Sequence, residues 1–289
     1  MNERETVLSA LMQDAYDIHI HSAPSHFPRK GNDLELLQRA EEQGMKGIVL
    51  KSHYDSTASR AMLVNSIAGT RAKAFGGVAL NWAVGGLNPD AVECCGRLGG
   101  KIVWMPTADA MNAYIYKGEW TAFTRQPRLS LLDENGCLKR VVHDILDVAK
   151  EQGMTVATGH INPTESLLLC REGVERNVKM VLTHPEFPCT ACSIELQKKL
   201  AAKGVMIEKL WFNVGNGLVS ADYMAETIRE VGAEHCVMAT DRGQLAREWP
   251  VEGLRLFMGA MLDRGISEAA IRTMTHDNLS VFFNSVLFF

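Results

Sequence analysis

The chain repeats one pattern of hydrophobic and polar positions without repeating its sequence. A short apolar, β-branched run is followed by a turn and then by a segment with helical periodicity, which is typical of a parallel sheet with crossover helices. Gly44, Gly153, Gly204 and Gly232 end several of the helical segments just before the next run, as helix C-caps do. The pattern predicts eight strands, at residues 17–21, 47–53, 74–81, 102–107, 155–161, 178–184, 205–210 and 236–241.

The spacing of these runs predicts the class of fold. All but one of the gaps between successive strand starts are about 23–31 residues long, which fits a single strand-and-helix unit, and eight such units describe a (β/α)8 TIM barrel. The long gap follows the fourth strand and places an insertion at 108–137 over the face on which such barrels carry their active sites. Its aromatic residues suit a packed lid or a subunit interface: Tyr114, Tyr116, Trp120 and Phe123.

Composition narrows the class of protein further. The 289 residues are 46% hydrophobic and 22% charged, which predicts one globular domain over residues 1–289. With 34 acidic residues against 30 basic ones, there is no positive excess that would hold nucleic acid. No apolar run reaches the roughly 20 residues of a membrane span, and the N-terminus has no signal-peptide core. The seven cysteines lack paired CxxC spacing, so we expect a cytoplasmic protein without a disulfide framework.

The C-terminal sequence VFFNSVLFF is strongly apolar but too short to cross a membrane. It predicts packing either against the barrel or against a second subunit. We therefore expect a homo-oligomer whose partner in function is a small-molecule substrate, not a nucleic acid or a membrane.

Candidate chemistry collects at the predicted strand ends. Five of the nine histidines and one aspartate stand there: His19, His21, His53, His160, His184 and Asp241. In a barrel these ends all open on one face, whatever their separation in sequence. The first two imidazoles are two residues apart on a strand, so they point the same way, and two neutral imidazoles make half of a zinc-type site. The sequence therefore predicts a metal site at this face.

The motifs DIHIHSAPS, GIVLKSH, LTHPE and ATDRGQ resemble those of the amidohydrolase superfamily, the metal-dependent hydrolase barrels. The resemblance covers the whole chain and is nearest to an uncharacterised amidohydrolase-like family. It implies one or two divalent ions, Zn²⁺ first and Mn²⁺ or Fe²⁺ as alternatives. It also implies the ligands, from the first, fifth, sixth and eighth strands: His19, His21, His160, His184 and Asp241.

One departure from the family concerns the fourth strand. Binuclear members carry a bridging lysine or glutamate there, and IVWMPT has neither, which favours one metal or a second site built differently. Lys51 shares a strand face with His53 and is the candidate replacement. It could be a carboxylated bridge, a cation that binds an anionic substrate group, or the structural partner of Asp17 or Glu208.

Each candidate residue has an expected role. Asp241 is expected to act as general base and then as general acid, and His184 to bind the metal or to polarise the substrate carbonyl. Lys51 and His53 are further catalytic candidates. We expect His53 to support a metal ligand or to contact the substrate, in preference to binding the metal itself. Residues near other strand ends are candidates for substrate binding: Arg29, Arg242, Asn81 and Trp104.

These observations predict a metal-dependent hydrolase that acts on a C–N bond in an amide, cyclic amide or imide of a small molecule. Three alternatives stay open. They are a barrel lyase that decarboxylates a small aromatic or unsaturated acid, a phosphoesterase, and a non-catalytic binding barrel. Release of CO₂ separates decarboxylation from hydrolysis, and the retained set of five ligand-type residues argues against a decayed site.

Overall fold

The structure, a computed structural model, describes residues 3–113 and 126–283. Strands and helices alternate along the chain. The strands are β1 Tyr16–His21, β2 Gly47–Lys51, β3 Lys73–Phe75, β4 Gly77–Ala79, β5 Ile102–Trp104, β6 Thr155–Ala157, β7 Met180–Leu182, β8 Met206–Leu210 and β9 Cys236–Ala239. The helices are α1 Glu3–Met12, α2 Asp33–Glu42, α3 Ala58–Ile67, α4 Pro89–Arg97, α5 Arg140–Glu151, α6 Pro163–Glu175, α7 Ile194–Ala201, α8 Trp211–Gly215, α9 Ala221–Val231, α10 Pro250–Leu262, α11 Glu268–Arg272 and α12 Asn278–Phe283.

All eight predicted strands are present, and each begins within about two residues of its predicted start. The third is divided into β3 and β4 at Gly76, and the backbone of Ala58 lies about 2.4 Å from the place where a side chain at Gly76 would begin. Several strands end earlier than predicted, since the residues that follow them turn. His184 and Asp241 have the left-handed φ values of 31° and 50°.

The described residues form two compact units, each assembled from segments that are distant in sequence. The first unit comprises residues 3–51, 60–75 and 208–283. The second comprises residues 52–59, 76–113 and 126–207. A single domain over the whole chain stays a prediction.

The sheet of the first unit has the order β1-β2-β3, with parallel pairing. Strand β9 runs beside β1 in the same unit. The N–H of Asp241 donates to the carbonyl of His19 over 2.8 Å, and the N–H of His21 donates to the carbonyl of Arg242 over 2.7 Å. The first and last strands of the chain are therefore joined by backbone hydrogen bonds, which brings their side chains together.

Buried apolar residues of the helices cover this sheet. Leu37 of α2 and Phe257 of α10 have no exposed surface, and every residue of β2 is buried. At the edge, the ring of Phe283 stacks on Tyr16 and Phe75, with centroid separations of 4.6 and 4.4 Å. Phe283, in the described part of the apolar C-terminal sequence, thus packs within this unit. Residues 284–289 lie outside the described residues. A homo-oligomer stays a prediction.

The second unit contains the strand order β4-β5-β6-β7, followed by the first two residues of β8, all parallel. Helices α4, α5 and α6 connect these strands and bury apolar faces, among them Val92, Ile145 and Leu169. Of the predicted insertion at 108–137, the described part makes bridges from Ala110 to Leu129 and from Leu132 to Leu138. The four aromatic residues of the predicted lid fall in 114–125, outside the described residues.

Two further expectations concern membrane-spanning helices and disulfide bonds. Among the described residues, no helix combines the length and apolar character that crossing a membrane requires. The seven cysteines are free thiols.

Candidate metal centre

Two histidines and an aspartate of the first unit come together at the ends of β1 and β9. Their ligand atoms all lie within 4.8 Å of one another, and no other such group of three occurs among the described residues. Asp241 Oδ1 is 3.5 Å from His19 Nε2 and 3.0 Å from His21 Nε2. A carboxylate oxygen and two imidazole nitrogens facing one point form a donor set that suits zinc and related divalent ions.

The local backbone explains this convergence. His19 and His21 alternate with Ile20 on β1 and therefore share one face of the strand. Asp241 follows β9 with a φ of 50°, a conformation that aspartate tolerates better than most residues. Gly243 allows the chain to continue over β1, since a Cβ at this position would lie 1.8 Å from the carbonyl oxygen of His21.

The hydrogen bonds of His19 define its tautomer. Glu208 Oε1 lies 3.0 Å from Nδ1, and Lys51 Nζ lies 2.8 Å from Nε2. An ionised carboxylate can only accept and an ammonium can only donate, so Nδ1 carries the proton and Nε2 presents a lone pair. This lone pair is what a metal ion requires of a ligating imidazole, with a carboxylate on the other ring nitrogen.

The charge state of both histidines agrees with ligation. Burial, followed by the charge of Lys51, lowers the pKa of His19 to about 3. Burial lowers the pKa of His21 well below its ordinary value, and the charges of Arg29 and Lys51 add to this effect. Both imidazoles are therefore neutral at pH 7, and the three residues fit a divalent metal ion.

Lys51 is buried, and its ammonium group is placed against this histidine pair. Burial lowers the pKa of Lys51 to about 8, against the opposing charges of Asp241 and Glu208. The two carboxylates favour a cation at the position that His19 Nε2 faces, while burial opposes it. The described contacts agree with a role beside the metal ligands; carboxylation of the lysine stays a prediction.

Asp17 holds β1 against β9 beneath the histidines. Its Oδ1 accepts hydrogen bonds from the N–H groups of His19 and Thr240, each over 3.1 Å, and its Oδ2 accepts from the Thr240 hydroxyl over 2.5 Å. Burial raises the pKa of Asp17 to about 7, while the hydrogen bonds from Thr240 and His19 oppose that shift. The carboxyl group therefore fixes the backbone at the ends of the two strands that carry the ligands.

The two arginines predicted to bind substrate differ in their surroundings. Arg29 is half-buried, donates to Ser25 over 3.4 Å, and is near enough to His21 to affect its pKa. Arg242 is fully buried, and its Nε and Nη1 donate to Glu248 and Asn216 over 2.6 and 3.4 Å. Its Nη2 has no hydrogen-bond partner among the described residues, and its predicted contact with substrate stays a prediction.

The other three predicted histidines form a cluster within the second unit. The ring of His160 is 5.9 Å from that of His53 and 4.9 Å from that of His184, between centroids. His53 Nδ1 contacts the hydroxyl of Thr107 over 2.7 Å, and His184 Nδ1 contacts that of Thr190 over 2.9 Å. Their roles as metal ligands or catalytic groups stay predictions.

Asn81, a predicted substrate contact, lies beside this histidine cluster. It is fully buried, its Oδ1 accepts from the N–H groups of Thr107 and Asp109, and its Nδ2 donates to the carbonyl of His53 and to the Thr107 hydroxyl. All four hydrogen-bonding positions of the amide are used within the protein, so Asn81 supports the cluster, and its predicted contact with substrate stays a prediction.

Trp104 is buried in β5 and packs over Gly77, where an added Cβ would lie 2.5 Å from its ring. Its predicted contact with substrate stays a prediction.

The hydroxyl groups of Thr190 and Thr240 are the supporting groups that sequence reasoning missed. Each lies near a candidate residue in the chain, Thr190 six positions after His184 and Thr240 directly before Asp241. Threonine is common in strands and turns, so nothing in the pattern distinguishes these two residues from others.

Comparison with known proteins identifies the family and the fold of this chain. Residues 14–208 match the model of a family described as "Family of unknown function (DUF6282)". The match extends over more than half of the chain, and the protein belongs to this family. No curated protein matches the sequence.

Solved structures share the fold over nearly the whole chain. An amidohydrolase from Pseudomonas aeruginosa has a TM-score of 0.64 at 15% identity, covering 95% of this chain and 98% of its own. A TatD homolog from Escherichia coli has a TM-score of 0.57 at 13% identity, covering 95% and 100%. An organophosphorus hydrolase from Deinococcus radiodurans has a TM-score of 0.59 at 11% identity, covering 95% and 94%. The predicted (β/α)8 fold, and the resemblance to the amidohydrolase superfamily at the level of that fold, are confirmed.

Proposed function

We propose that the protein is a metal-dependent hydrolase that acts on a C–N bond of a small molecule, in an amide, cyclic amide or imide. The observation that carries this proposal is the group formed by His19, His21 and Asp241, in which the lone pair of a neutral imidazole and a carboxylate oxygen face one point. The similarity in fold to an amidohydrolase supports it.

His19, His21 and Asp241 would hold the ion, Zn²⁺ first and Mn²⁺ or Fe²⁺ as alternatives. His160 and His184 are proposed as further ligands on the strength of the resemblance in their motifs. A divalent ion supplies Lewis acidity and makes a water molecule easier to deprotonate near pH 7.

The protein's own groups supply the remaining steps. Asp241 takes a proton from the attacking water and returns it to the leaving nitrogen. Its side chain is 17% exposed, against 1% for His19 and 4% for His21, so it is the member of the group that water and substrate can reach. Glu208 holds the proton on His19 Nδ1 and so keeps Nε2 as an acceptor.

Two cations near the ligands favour a substrate with an acidic group. Lys51 contacts His19, and the charge of Arg29 acts on His21. A carboxylate on the substrate would be attracted by both, and Arg29 is exposed enough to bind one. The same cations favour the second candidate function, decarboxylation of a small aromatic or unsaturated acid. A phosphoesterase is the third, supported by the similarity in fold to an organophosphorus hydrolase.

Metal content tests the proposal first. Protein purified without chelator is expected to contain about one equivalent of zinc, manganese or iron by elemental mass spectrometry. His21→Ala and Asp241→Ala are expected to lose it, while the control His235→Ala, a histidine in a surface turn beside Glu234, keeps it. Equal metal content in all four proteins would refute the site.

A substrate panel then separates the candidate reactions. Cyclic amides and imides with and without a carboxylate, small aromatic acids, and phosphate esters are incubated with the metal-loaded protein. Ring opening without CO₂ supports the hydrolase, and release of CO₂ supports the lyase. Asp241→Asn must abolish whichever activity is found, since an amide cannot accept the proton.

A further inference from the structure

Arg242 follows the candidate metal ligand Asp241 in the chain, and its side chain is fully buried. Its Nε donates to Glu248 Oε1 over 2.6 Å, and its Nη1 donates to Asn216 Oδ1 over 3.4 Å. A buried guanidinium group without an opposing charge would be costly, so Glu248 is the partner that allows Arg242 to be buried here. The pair therefore fixes a side chain whose backbone is one peptide away from the ligand.

Glu248 also accepts a hydrogen bond from a second segment of the first unit. Trp211 Nε1 donates to the same oxygen, Oε1, and the guanidinium carbon of Arg242 lies 6.0 Å from the centroid of the Trp211 ring. Trp211 begins α8 directly after β8, three residues after Glu208, whose carboxylate contacts His19 Nδ1. Trp211, Arg242 and Glu248 thus form an arginine clamp that joins the end of β8 to the segment after β9.

Two glycines leave the space in which the arginine clamp packs. A Cβ at Gly253 would lie 3.1 Å from both Arg242 Cγ and Trp211 Cδ1, and a Cβ at Gly215 would lie 2.3 Å from Arg242 Nη2. A larger residue at either position would press on the clamp. The side chain of Arg242 is therefore confined by packing as well as by its hydrogen bonds.

The backbone of Asp241 has a conformation that its surroundings must enforce. A φ of 50° is less favourable for a residue with a side chain than for glycine. The N–H of Asp241 donates to the carbonyl of His19 over 2.8 Å, and Gln244 Nε2 donates to the carbonyl of Asp241 over 2.8 Å. The carbonyl of Arg242 accepts from the N–H of His21 over 2.7 Å. These bonds hold the turn against β1, and the arginine clamp holds the residue that follows Asp241.

We propose that Arg242 is a positioning residue of the metal centre. Through the arginine clamp it holds the turn at Asp241, so that the carboxylate of Asp241 meets the two histidines of β1. Arg242 thus acts on the metal through Asp241. The effect on metal binding rests on the proposed function, whereas the conformation of the turn does not.

Two substitutions of Glu248 separate its role as an acceptor from its role in packing. Glu248→Gln keeps an oxygen that can accept from Trp211 and Arg242, and Glu248→Leu removes it. The side chain of Glu248 is 23% exposed, so it tolerates replacement better than the fully buried Arg242, for which Arg242→Met is the third variant. Arg255→Met is the matched control, because this arginine of α10 forms its ion pair with Glu5 of α1.

Cobalt(II), a divalent ion that accepts the same donor atoms as zinc, reports both the affinity of the site and the arrangement of its ligands. Glu248→Leu and Arg242→Met are expected to weaken Co²⁺ binding about tenfold or more by calorimetry, and to shift the visible absorption bands of the bound ion. Glu248→Gln should stay close to the wild type, and Arg255→Met should match it. Unchanged affinity and unchanged bands in folded Glu248→Leu and Arg242→Met would overturn the proposal.

Hydrogen exchange in the metal-depleted protein, followed by NMR, tests the turn without the ion. The N–H groups of Asp241 and His21 should exchange about tenfold or more faster in Glu248→Leu than in Glu248→Gln, while the amides of β2 keep their rates. Equal rates in the two variants would refute the positioning role, and so would an equal increase in β2, which would show a general loss of stability. If the wild-type protein binds no Co²⁺ while the exchange rates behave as expected, the proposed function fails and the positioning of the turn stands.

Discussion

Replacement of Asn81 by alanine is expected to lower the free energy of unfolding by about 4 kcal/mol. The amide makes four hydrogen bonds within the protein and has no exposed surface. At about 1 kcal/mol of net contribution for each bond, the loss comes to about 4 kcal/mol. Two of the groups left behind are the backbone N–H groups of Thr107 and Asp109, which alanine cannot satisfy. Because single-domain proteins are stable by only about 5–15 kcal/mol, this is a large fraction of the total.

Urea unfolding of the metal-depleted protein, followed by circular dichroism, measures this loss without the stabilisation that a bound ion adds. Asn135→Ala is the control, since this asparagine is exposed in a turn, and its free energy of unfolding should stay within about 0.5 kcal/mol of the wild-type value. Thr107→Val, which removes one of the four partners, the threonine hydroxyl, should fall between the two. A loss below about 1 kcal/mol for Asn81→Ala would mean that water replaces the amide and that these hydrogen bonds do not hold the cluster together.

Three further predictions concern the metal centre. Addition of zinc at about 100 times its dissociation constant should stabilise the protein by about 2.7 kcal/mol, seen as a rise in Tm that EDTA reverses and that His21→Ala lacks; a rise of equal size in that variant would contradict the site. Glu208→Gln, which loses the charge that holds His19 Nδ1–H, should weaken zinc affinity about 10–100-fold by calorimetry, and an unchanged affinity would refute its supporting role. In metal-free protein, Asp241→Gly should be more stable to urea than Asp241→Ala by about 1 kcal/mol, because residue 241 has a φ of 50°; equal stability would show that this turn carries no strain.

The strands could be predicted because each buried strand must be a short apolar run and each helix must cover it with a periodic face. The division of the third strand at Gly76 could not be predicted in this way. At that glycine the backbone of Ala58, from a different segment, lies about 2.4 Å from the place where a side chain would begin. Sequence periodicity reports which side chains are buried, and it carries no information on how closely two backbones pass.

The candidate ligands could be predicted for a similar reason, since His19, His21 and Asp241 follow or end strands whose positions were predictable. Their supporting groups could not. The proton on His19 is placed by Glu208 and Lys51, from two other strands, and the roles of Asn81 and Thr190 depend on hydrogen bonds whose directions only coordinates reveal. A buried asparagine at a strand end has the same letter whether it binds a substrate or a backbone.

The pairing of the first strand with the last also determines when the site can exist during synthesis. Asp17 and Thr240, which join β1 to β9, are 223 positions apart in the chain. At about 5–20 residues per second, the ribosome makes the two histidines about 11–45 s before the aspartate. Throughout that interval the nascent chain holds two of the three ligands and lacks the carboxylate. The finished site therefore forms only after Asp241 has been made, and a metal ion can be held by all three ligands only from that moment on.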